Sequence, residues 1–145
     1  MKGKGQFCLL AVASALLVSG CGENKLTQCE QIYRIAQGVT QGSKEVSYTN
    51  DAELTTMKTW LSAANMMDRA ADRIQALHIN NVNLIEHQNK LATVYRIYAR
   101  ATYNAVQARE SKNLSALELA RVDAQKAGEM HQEVIKELNT YCLSK

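Results

Sequence analysis

Proline is absent from all 145 residues, which removes the residue that most often breaks a helix from within. Beyond residue 20 the chain is dominated by Ala, Leu, Gln, Glu, Lys and Arg, and no strand-like alternation of apolar and polar residues occurs. Such a chain is helical unless something forbids it.

Four side-chain acceptors followed three residues later by glutamate supply helix starts: Thr27 with Glu30, Asn50 with Glu53, Asn83 with Glu86 and Ser115 with Glu118. In such a box the cap satisfies orphan amides of the first turn and the glutamate reaches back. Gly42-Ser43, Asn80-Asn81 and Ser111 to Asn113 mark the breaks, so helices are expected at 27–42, 51–79, 83–111 and 115–142, the first of them short.

Apolar residues recur at alternating spacings of three and four along the last three segments. The stripes are Met57, Trp60, Ala64, Met67, Ala71, Ile74 and His78; Leu84, His87, Leu91, Val94, Tyr98, Ala101, Ala105 and Ala108; and Leu117, Ala120, Ala124, Ala127, His131, Val134, Leu138 and Tyr141. This alternation is the seam of antiparallel packing at shallow angles, and short connections make sequential helices antiparallel neighbours. The expected fold is all-α, an up-down-up-down antiparallel four-helix bundle. Ala101 to Ala108 would pack closely on Ala120 to Ala127. The spacing of the caps suggests a helical repeat, but Asp51 to His78 contains no turn residue, and one long helix per period is a bundle.

Residues 1–20 have a different character: Lys2 and Lys4, an apolar run from Phe7 to Val18, then Ser19 and Gly20. This is the layout of a secretory signal, with a core too short to rest as a spanning helix. Val18-Ser19-Gly20-Cys21 resembles a bacterial lipobox. The resemblance implies cleavage before Cys21 and fatty acylation of that cysteine, with chains such as palmitate. It further implies an envelope location at the cell membrane on the exported side. Gly22 is not the aspartate that retains lipoproteins at the inner membrane, so in a Gram-negative host the periplasmic face of the outer membrane is expected. The domain plan is then a signal at 1–20, a lipidated tether at 21–26 and a bundle at 27–145. The mature part resembles, in general layout only, small helical bacterial lipoproteins that carry no diagnostic motif, and this likeness supplies no activity.

Removing residues 1–20 takes away two lysines and no acid, leaving 15 basic and 14 acidic side chains. A nearly balanced charge gives no reason to expect a nucleic-acid partner. Of the four cysteines, Cys8 leaves with the signal and Cys21 carries lipid, so Cys29 and Cys142 remain. In an exported compartment they are expected to form a disulfide. In the up-down-up-down order both lie at the same end of the bundle, beside Ile32 and Leu138. Seven positions separate Cys21 from Gln28, and at roughly 3.5 Å per residue this tether holds the cysteine-bearing end within about 25 Å of the lipid.

His78, His87 and His131 all fall on the stripes and are candidate metal or haem ligands, with Met66, Met67 and Met130 as soft neighbours suited to copper. Against this, no Glu-x-x-His pair and no Cys-x-x-Cys-His occurs, and no cofactor is expected. Phosphate loops, nucleophile elbows and zinc-protease motifs are absent too, so an enzyme is not expected. Arg96, Arg100, Arg109 and Arg121 form a candidate basic patch, and Tyr33, Tyr95 and Tyr103 a candidate contact surface if exposed together. The functional expectation is a lipid-anchored envelope lipoprotein whose non-enzymatic bundle serves as a protein-interaction or structural module. An envelope protein would be its partner, or a second copy in a homodimer. The alternative is a small-ligand or metal carrier.

Overall fold

The computed structural model describes residues 24–47 and 53–144. The described residues form four helices, α1 Lys25–Ser47, α2 Glu53–Gln75, α3 Val82–Glu110 and α4 Leu114–Leu143, and no strand. They pack as the expected antiparallel bundle. The signal segment 1–20, Cys21 and the cap at Asn50 lie outside the described residues.

The helix starts are displaced from the expected boxes. Asn24 Oδ1 accepts from the Thr27 amide at 2.9 Å, Asn81 Oδ1 from the Leu84 amide at 3.2 Å and Asn113 Oδ1 from the Ala116 amide at 3.0 Å. Asparagines therefore cap α1, α3 and α4, each two or three residues ahead of Thr27, Asn83 and Ser115. Asparagine is among the best N-caps. α1 also runs through Gly42-Ser43 to Ser47, so it matches α2 at 23 residues and is short only beside α3 and α4. α2, in contrast, stops at Gln75, and this removes His78 from its expected stripe.

α3 is the central helix. It packs against α2 and α4 along its length and meets α1 as well, whereas α2 and α4 do not approach each other among the described residues. The stripe drawn for α3 is buried at Leu84, Leu91, Val94, Ala101 and Ala108, but so is a second line at Gln88, Ala92, Tyr95, Ala99 and Val106. A single seam describes a helix with one partner. α3 has three.

α1 packs against both α2 and α4 and places its core residues at the disulfide end of the bundle. There Ile32, Ile35, Ala36 and Val39 join Ala70, Ala71, Ile74, Leu84, Leu91, Tyr95, Val134 and Leu138 in one core. Full burial of one such aliphatic side chain contributes about 1.5–3 kcal/mol. Cys29 and Cys142 form the expected disulfide at this end, with Cα atoms 6.1 Å apart across a sequence separation of 113. Two buried glutamines reinforce it. Gln28 accepts from the Asn80 and Asn81 amides and donates to Asn80 Oδ1, so it ties the first turn of α1 to the α2–α3 turn. Gln88 donates to the carbonyls of Ile74 and Leu77, which also accept from the Leu77 and Ile79 amides, and so ties α3 to the turn that follows α2.

Candidate functional site

Two regions could carry function: the histidine positions and the grooves that the three-sided packing leaves. The histidines are not brought together. His78 lies exposed in the α2–α3 turn, not on a seam. His87 is half-buried on α3 against the Tyr141 ring at a centroid distance of 5.8 Å. Its Nδ1 is buried without a hydrogen-bond partner and stands 3.6 Å from Glu137 Oε2, too far for a hydrogen bond but within ion-pair reach when the ring is protonated. The same carboxylate oxygen accepts from Lys90 Nζ at 3.0 Å. His131 stands on α4 near Tyr95 and Tyr98, with ring centroids at 5.7 and 6.4 Å. Burial pushes its imidazole below the usual 6.5. Among the described residues no group of three or more His, Cys, Asp or Glu side chains is placed to hold a metal ion.

The tyrosine surface expected from the sequence does not form. Tyr95 is 3 % exposed, and burial, with a smaller contribution from Tyr98, pushes its hydroxyl up to about 12. Tyr33 donates to Asn139 Oδ1 and Tyr103 to Asn65 Oδ1, so both hydroxyls pin neighbouring helices. The arginines divide in the same way. Arg96 pairs with Asp72 at 3.1 Å and donates to Gln75 Oε1, which clamps α3 to α2. Arg121 pairs with Glu118, and Arg109 lies 5.6 Å from the centre of the Trp60 ring. They are helix contacts, not one patch.

The second region is the half of the bundle away from the disulfide. There an apolar groove of roughly 510 Å³ opens between α2, α3 and α4. Its walls are Trp60 and Ala63 from α2, Ala101, Thr102 and Ala105 from α3, and Leu117, Ala120 and Ala124 from α4, with Glu118 and Arg121 at the rim. The alanine stripes that let α3 and α4 approach closely also make the groove, because a floor of methyl groups leaves room above it. α1 occupies the equivalent space beside the disulfide. The groove is therefore the part of the α2–α4 cleft that α1 does not fill among the described residues.

The sequence supplied the groove's residues as two alanine stripes but not the groove itself, since the opening depends on where α1 sits. Gln28 and Gln88 gave no signal at all, because a polar residue is assigned to the exterior unless a partner is known. No helix among the described residues is long and apolar enough to cross a membrane. No protein-family model, no curated protein and no solved structure matches the chain.

Proposed function

We propose that this chain is a non-enzymatic interaction module of the bacterial cell envelope, held to the membrane by acyl chains on Cys21 and presenting the distal groove to a helix of a partner protein. The observation that carries the proposal is the alanine-floored groove, at the opposite end of the bundle from the point where the chain enters α1. Small residues let a partner helix approach closely, and Trp60 offers the large, rigid contact area that dominates binding energy at interfaces. Anchoring raises the local concentration of the module and limits the orientations it can present. More than one acyl chain makes such anchoring stable where a single chain is marginal.

The test is cross-linking in the producing cell from photoreactive residues at Ala63 and Ala124, with Gln132 on the outer surface as the control position. One dominant envelope protein captured from both groove positions, and lost when Cys21→Ala removes the anchor, is the expected result. Capture of a second copy would identify a homodimer. No product above that from Gln132 would sink the docking reading. A second reading, a small apolar ligand in the same groove, draws support from its volume, which lies in the ordinary range of ligand pockets. It predicts a co-purifying molecule displaced by Ala105→Phe. The copper or haem form of that reading has no comparable support, since the three histidines do not converge.

A further inference from the structure

The four helices do not depend on the bundle equally. α3 lies against α2 and α4, and the buried residues of those three run from Ile74, Leu84 and Leu138 at the disulfide end to Val106, Ala108 and Ala120 at the other. α1 adds Cys29, Ile32, Ile35, Ala36 and Val39 to the core, and among the described side chains its buried apolar residues end there. α1 is also the weakest helix in its own right. Gly38 and Gly42 lie inside it, whereas α2 and α3 contain no glycine and α4 only Gly128. Glycine disfavours a helix interior more than any residue except proline, and a helix in a protein draws most of its stability from packing. α1 is therefore helical because it is docked.

Three ties join α1 to α4 within the first three turns of α1. Cys29 bonds to Cys142, Tyr33 Oη donates to Asn139 Oδ1, and Lys25 Nζ donates to the Tyr141 carbonyl at 3.1 Å. Of these the bridge alone is covalent, and it stands where both helices end, with Cys29 in the second turn of α1 and Cys142 one residue before the end of α4. Cys29 is 2 % exposed and Cys142 4 %, yet both line a surface cleft of roughly 380 Å³. Helix ends open at far lower cost than a core does, so fraying of the two termini brings the sulfurs within reach of that cleft while the core stays closed.

We infer that the Cys29–Cys142 bridge is a redox-sensitive clasp, whose reduction releases α1 while α2, α3 and α4 stay packed. Neither the partner of the groove nor the lipid on Cys21 enters this mechanism. The reductant is a dithiol. One of its thiolates attacks a bridge sulfur and forms a mixed disulfide, and the other cysteine leaves as a thiolate. The second thiol then closes the reductant's own disulfide and frees the first cysteine, so two electrons and two protons pass from the dithiol to the protein. Oxidised, the chain between the cysteines is a closed loop that keeps the start of α1 beside the end of α4. Reduced, that constraint is gone, and the chain entropy it withheld favours the released state. α1 then loses its place and its helix together, and the apolar surface it covered at the disulfide end is laid open.

The test is hydrogen–deuterium exchange read by mass spectrometry on the full-length protein in three forms: oxidised, treated with dithiothreitol without denaturant, and as the double variant Cys29→Ser with Cys142→Ser. Dithiothreitol should make Cys29 and Cys142 open to alkylation. Amide exchange over residues 32–39 should then rise by about 100-fold, while residues 99–106 of α3 and 120–127 of α4 change by less than about threefold. The double variant should show the same pattern with no reductant present. A bridge that the dithiol leaves intact in the folded protein overturns the redox sensitivity. Protection of residues 32–39 that persists in the double variant also overturns the clasp, because α1 would then dock without the bridge. Loss of protection in α3 and α4 together with α1 overturns it as well, because the four helices would then unfold as one unit.

Discussion

Gln28 is almost fully buried, and its one side chain serves two backbone amides and a side-chain amide of the α2–α3 turn. Gln28→Leu keeps the volume and removes every one of those partners. The loss should be about 1–3 kcal/mol, the cost of leaving partly buried amides unsatisfied, read as a lower denaturant midpoint at unchanged slope. His131 gives a second prediction at this scale. Burial holds its folded-state value below 6.5, so below that pH the unfolded chain takes up the proton more readily than the folded one. Its contribution is complete above about pH 6.5 and is lost as the pH falls through the folded value. His131→Gln should therefore flatten the fall in Tm between pH 7 and pH 5, modestly, since the ring is only partly buried.

Among the elements, the α3–α4 connection is the clearest case of local chemistry deciding structure. The Asn113 amide donates to the Ala108 carbonyl and the Lys112 amide to that of Arg109, the double closure of a Schellman motif. The motif requires a left-handed residue at the position of Lys112, whose φ is 53°. Glycine adopts that conformation without steric cost, so Lys112→Gly should stabilise the protein by about 1 kcal/mol, seen as a rise of several degrees in Tm. Ser111 to Asn113 was legible as a break, but nothing in the residues marked Lys112 as the left-handed position. The helix starts show a related limit. At the starts of α1, α3 and α4 the expected box had the right chemistry, yet an asparagine just upstream offered an equivalent acceptor, and pattern matching cannot rank two valid caps a few residues apart. Likewise Gly42-Ser43 reads as a stop only if local propensity decides, whereas α1 continues along α2 because packing outweighs the roughly 1 kcal/mol cost of a glycine.

For the whole molecule, fold class, helix order and the Cys29–Cys142 pairing were readable because they depend on periodicity and parity, which survive errors of a few residues. The groove was not readable, because it depends on where α1 lies relative to α2 and α4. Closing a loop of more than 100 residues contributes roughly 4–5 kcal/mol in the chain-entropy account. Cys29→Ser with Cys142→Ser should cost most of that, measured by denaturant unfolding against the oxidised parent, and reductant should bring the parent to the same midpoint. The bridge also has a mechanical consequence. It joins the start of α1 to the last turn of α4, so tension applied between the segment before α1 and the residues after α4 runs through one covalent link and loads only the helix ends beside it. A pull on the groove at the other end is different: it travels down α2, α3 and α4 together, in shear against the core. The molecule is thus a strut with a welded foot, whose resistance to force resides in its helices only when the load arrives from the groove.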